Sequence, residues 1–132
     1  MADREVWIEF DEDFLPSFKG IPLEKRKYSG GSELYYTSPV FTGGQISYNR
    51  VQELVRSGKY EVGPEHYDGG CIYGYVKVPK REILEILNKE KKFWEYLGQG
   101  HSGFVSWDTA LIEYVDSFPD DRLYKLVHFV WD

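Results

Sequence analysis

CIYGYVKVPKREILEILNKEKKFWEYLG, residues 71 to 98, holds the reading that sets the architecture. Its first eight residues, CIYGYVKV, are rich in β-branched and aromatic side chains. Glycines stand before them and Pro79 after, the marks of a strand. From Lys80 the period changes. Ile83, Leu84, Ile86, Leu87, Trp94 and Leu97 form an apolar stripe at helical spacing over residues 80 to 97, and Gly98 follows where a helix commonly stops.

Working outward, EVWIEF at residues 5 to 10 alternates Val6, Ile8 and Phe10 with Glu5, Trp7 and Glu9, the period of a half-buried strand. ELYYTSPVF, residues 33 to 41, is a further strand, and Pro39 confines its end to an edge or a bend. SYNRVQELVRSG, residues 47 to 58, returns to helical spacing through Val51, Leu54 and Val55, with Gly58 placed for a left-handed cap. Residues 123 to 131, LYKLVHFVW, form a last strand. Between them, 106 to 118 carries two competing signals. Trp107, Ala110, Leu111, Tyr114, Val115 and Phe118 fit a helix closed by Pro119, whereas ALIEYV followed by SFPDD fits one arm of a hairpin; the hairpin is the preferred expectation. Strands and helices intermixed without a βαβα rhythm predict an α+β fold: one domain over residues 1 to 132, a mainly antiparallel sheet, and two helices, or three if 106 to 118 is helical.

The glycine pattern GQGHSG at 98 to 103 matches the template G-x-G-x-x-G, but its context is that of a connection. A dinucleotide-binding loop follows a strand and opens a helix, so that free N–H groups meet the pyrophosphate. Here the pattern follows a helix, at the negative end of its dipole. The pairs in YSGGSE, FTGGQI and YDGGCI lack the Lys-Ser/Thr ending of a P-loop and read as turns.

Sixteen Lys and Arg against 22 Asp and Glu give a net charge of −6. That balance disfavours unaided binding to nucleic acid and favours a basic protein partner. Eleven Tyr, 8 Phe and 4 Trp are too many for a core of this size to hide, and surface Tyr and Trp mark contact surfaces. One Cys, Cys71, excludes an internal disulfide framework and a four-Cys zinc site. No apolar run is long enough to span a bilayer and no leader-like segment opens the chain, so the expectation is a cytoplasmic protein. Asn, Gln and Met are scarce while Glu and Lys are common, the bias described for proteins that work hot.

Candidate sites divide into two sets. The acidic run EFDEDF offers Glu9, Asp11, Glu12 and Asp13 with no base among them and Trp7 and Phe14 beside them, a surface for a basic partner. The second set is His66 and Asp68 in PEHYDGG with Gly100 and His101 in GQGHSG, a ligand or acid-base site if the glycine-rich loops at 29 to 32, 43 to 44, 66 to 70 and 98 to 103 converge. The three histidines, 66, 101 and 128, match no metal-ligand spacing, so no metal or other cofactor is expected. Cys71 opens an apolar strand and reads as an inert core thiol. The lysines of the long helix read as partners for Glu82, Glu85 and Glu90.

Three classes of function fit these features. The first is an acidic interaction protein that binds and inhibits a basic, nucleic-acid-processing protein, as immunity proteins and viral anti-defence proteins do, acting in the cytoplasm or that of an infected host. The second is a small-ligand or nucleotide-binding protein or enzyme with its pocket among the glycine loops. The third is a structural or assembly subunit that buries its aromatic residues in a homo-oligomer.

Overall fold

A computed structural model describes residues 3–11, 13–16, 23–27, 34–41, 45–68, 70–97 and 110–131. Strands β1 (Asp3–Phe10), β2 (Glu24–Lys27) and β3 (Leu34–Thr37) precede helix α1 (Gln45–Arg56). Then come β4 (His66–Asp68), β5 (Cys71–Pro79), α2 (Lys80–Leu97), a helix α3 over 110–116, and β6 (Leu123–Trp131). The strands form one sheet of order β2-β3-β1-β6-β5-β4, antiparallel throughout. This is the expected α+β arrangement, with three helices among the described residues.

Strand alternation sorts the side chains between two faces. Val6, Ile8 and Phe10 of β1, Val76 and Val78 of β5, and Tyr124 and Leu126 of β6 point into one core. There they meet Val51 and Leu54 of α1, Ile83, Ile86 and Leu87 of α2, and Leu111, Tyr114 and Val115 of α3. Phe118 closes it, with its ring centroid 5.7 Å from Phe10, 5.5 Å from Phe14, 5.0 Å from Tyr114 and 5.1 Å from Tyr124.

Residues 110–116 correct the hairpin expectation. As a helix, this segment places Leu111, Tyr114 and Val115 at i, i+3 and i+4, and the turn after it adds Phe118, all buried, with Glu113 and Asp116 in solvent. A strand would split the same apolar groups between two faces. Lys80 fixes the end of this segment by donating to the carbonyls of Asp116 (2.7 Å) and Phe118 (2.8 Å).

The ends of the predicted elements are set by local chemistry. Gly58, past the end of α1, has φ +72°, the left-handed conformation expected of a helix-capping glycine. Gly70, with φ +94°, turns the two-residue connection between β4 and β5. Beyond Thr37, β3 leaves the regular ladder at Pro39, yet β1 stays satisfied: the Ile8 amide donates to Ser38 Oγ (2.9 Å) and the Phe41 amide to the Val6 carbonyl (2.8 Å). Of the acids expected to pair with the lysines of α2, Glu85 takes Lys89 at 3.7 Å; Lys91 instead meets Glu95 at 4.0 Å, and Arg50 of α1 bridges to Glu82 and Glu85. Among the described residues no helix is long and apolar enough to cross a membrane.

Candidate functional site

All described helices pack on one side of the sheet. Its other face carries Glu5, Trp7 and Glu9 from β1, Lys125, Val127, Phe129 and Trp131 from β6, and Tyr73, Tyr75 and Lys77 from β5. Cross-strand register aligns Glu5–Phe129–Tyr73–His66, Trp7–Val127–Tyr75 and Glu9–Lys125–Lys77 in successive rows. In the second row Trp7 and Val127 are buried and Tyr75 is partly exposed; Trp7 is 4% exposed, with its ring centroid 5.7 Å from that of Phe129. β1 is therefore covered on both faces rather than half-buried, and Trp7 belongs to the packing of the sheet.

Beside this row a cavity of about 110 Å³ opens. Tyr35, His66, Tyr73 and Tyr75 wall it, the Gly74 backbone and Val127 complete its lining, and Glu9 and Lys125 supply its charges. His66 stacks on Tyr73 with centroids 4.8 Å apart and planes 16° apart. The Glu9 carboxylate is 7% exposed and lies 3.5 Å from Lys125 Nζ. Lys125 Nζ is also 4.0 Å from Asp11 and 5.0 Å from the centre of the Tyr75 ring. Burial, and then the Glu9 charge, push the Tyr73 phenol above its ordinary pKa, so it keeps its proton near neutral pH.

The structure thus joins one residue from each predicted set, Glu9 and His66, in a single cavity. The remaining acidic run is distributed differently. Asp13 accepts two hydrogen bonds of 3.1 Å from the Arg122 guanidinium, which lies 4.9 Å from the centre of the Phe14 ring, and Phe14 itself packs on Phe118 and Tyr124. The cations that EFDEDF lacks in sequence arrive from β6 and the turn before it. Glu12, Gly100, His101 and most of the glycine-rich stretches lie outside the described residues; Asp68 pairs with Cys71 at the β4–β5 turn. α2 ends at Leu97, so GQGHSG does follow a helix. Among the described residues no group of three His, Cys, Asp or Glu is placed to hold a metal ion. Tyr35, Tyr73, Tyr75 and Lys125 were not candidates in the sequence. The signal for Tyr73 and Tyr75 was the second phase of the strand alternation, Tyr73-x-Tyr75-x-Lys77, which marks a polar and aromatic face opposite the core.

Directly behind the cavity wall, on the helix side, His128 is buried against Gly74. A Cβ at position 74 would lie 3.0 Å from its Cε1 and Nε2. Gln52 Nε2 lies 3.2 Å from His128 Nδ1, a hydrogen bond that the amide donates when Nδ1 carries no proton. Burial lowers the His128 pKa below 6.5, opposed by the Glu65 charge. The unfolded chain then takes up a proton first as pH falls. Stability is fully present above pH of about 6.5 and declines below it by up to about 1.4 kcal/mol per pH unit until the folded pKa is reached. Urea midpoints measured through this range should fall for the native chain, and fall less steeply for His128→Gln.

No family model, curated protein or solved structure matches the chain.

Proposed function

We propose that the chain is a binding protein that holds a basic protein partner on the sheet face opposite its helices, and that it inhibits that partner by covering a surface made for nucleic acid. The observation that carries this reading is the cavity itself. Stand-alone ligand sites enclose roughly 300–1,000 Å³. A cavity of 110 Å³ takes one side chain and leaves the rest of its owner outside. Aromatic walls with a largely buried carboxylate match the chemistry of a cationic side chain. The net charge of −6 steers such a partner in and repels polyanions.

The test is titration of the isotope-labelled chain with an arginine-rich peptide, its citrulline counterpart and a single-stranded oligonucleotide, followed by NMR. The arginine peptide should shift the resonances of Tyr73, Tyr75 and His66, with an affinity that falls as salt is raised. Glu9→Gln should weaken binding about tenfold, the equivalent of roughly 1.4 kcal/mol. Binding of the oligonucleotide with no response to the arginine peptide would overturn the reading.

A further inference from the structure

The cation position of the cavity already has an occupant. Lys125 Nζ stands 5.0 Å from the centre of the Tyr75 ring, within the roughly 6 Å range of a cation–π contact. Its carboxylate partners are Glu9 at 3.5 Å and Asp11 at 4.0 Å. Both distances exceed the roughly 2.7–2.9 Å of a charge-assisted hydrogen bond. Lys125 is therefore shared between two acids and tightly bonded to neither, unlike Lys77 on the same face, which lies 3.0 Å from Glu61.

We propose that Lys125 is a resident stand-in for a partner's arginine, which displaces it from Glu9 and the Tyr75 ring on binding. This rests on the basic-partner reading and names the group that the cavity receives. Arginine fits better than lysine for reasons of shape and hydration. Its planar guanidinium stacks on rings, offers five donors in a fixed fork, and is more weakly hydrated than an ammonium. The cavity provides flat walls in Tyr75 and in the His66–Tyr73 stack, and acceptors in Glu9. Lys125 sits on a flexible four-carbon stem and is partly exposed, so its head can move into water while the stem stays on the sheet. A neutral or anionic group gains no ion pair from Glu9 and has no means of displacing it. The resident lysine thereby makes the cavity selective at the expense of affinity.

The proposal predicts opposite effects for two substitutions at one position. Binding of N-acetyl-arginine amide to the full chain, followed by NMR, should show a dissociation constant in the millimolar range, as expected for a contact of about 4 kcal/mol. Lys125→Met removes the competitor and leaves Glu9 without its cation, and should tighten binding about fivefold. Lys125→Arg installs a better occupant and should weaken binding about fivefold. Thermal unfolding of each variant establishes that it is folded. If arginine amide and the arginine-rich peptide bind but Lys125→Met binds equally or less well, the stand-in role is overturned and the basic-partner reading stands. Tighter binding of N-acetyl-lysine amide than of the arginine compound would overturn the choice of arginine. If neither arginine probe binds the native chain or Lys125→Met, the basic-partner reading falls as well.

Discussion

Phe118→Ala is expected to lower the free energy of unfolding by about 3–5 kcal/mol, the cost of emptying a fully packed aromatic site. The total for a domain is only about 5–15 kcal/mol, so this one change removes a large share. The expectation comes from position as much as from size. Phe118 meets Phe10 of β1, Phe14 of the following turn, Tyr114 of α3 and Tyr124 of β6, so it joins elements from both ends of the sequence. The Phe10, Phe14 and Tyr114 contacts are edge-on, each adding about 0.5–1.5 kcal/mol beyond burial alone. Urea unfolding followed by tryptophan fluorescence measures the loss. A change under about 1 kcal/mol would mean that the cluster refills the space and that Phe118 is not its hub.

The second large effect is at alkaline pH. Burial pushes the Tyr124 phenol up to about 12, and the Tyr114 phenol up as well, from an ordinary value near 10. The unfolded chain loses these protons first. Stability is thus intact below pH of about 10 and declines above it, by up to about 1.4 kcal/mol per pH unit for each phenol, until the folded values are reached. Tyr124→Phe tests the assignment through a deficit that depends on pH. Near neutral pH it should cost about 1 kcal/mol, because the hydroxyl donates to the Pro119 carbonyl at 2.8 Å. Above pH of about 10 the deficit should shrink, since the variant has one phenol fewer to ionise. A deficit that is constant with pH would show that Tyr124 ionises alike in both states.

α2 and β6 were legible in the sequence to the residue, because each has an apolar period that only one conformation can bury, and Pro79 separates α2 from the strand before it. β2 and β4 were not. EKRK has no apolar phase at all, which suits an edge strand that must not recruit a neighbour, and a signal of that kind cannot be told from a charged loop. Helix α3 was misread because local β-propensity in ALIEYV is strong; what decides it is the burial of Leu111, Tyr114, Val115 and Phe118 on one side, a tertiary matter. The cavity was visible only in fragments. Glu9 and His66 both drew notice as titratable groups, but their meeting depends on β1, β6, β5 and β4 lying in that order across the sheet, and no spacing along the chain encodes it.

The strand order has a kinetic consequence. The centre of the sheet is made by β1 and β6, with Trp7 opposite Val127, so the two middle strands are among the first and last described segments of the sequence. Among the described strands β1 is synthesised first and β6 last, so Val6, Ile8 and Phe10 wait for all the others before their ladder partner exists. Pairing across such a separation closes a long loop and belongs to the slow end of domain folding. Until residue 131 leaves the ribosome, β1 can hold only the β3 side of the sheet, and its other edge stays open to foreign strands. The newborn chain is therefore open to aggregation at the strand that carries Glu9.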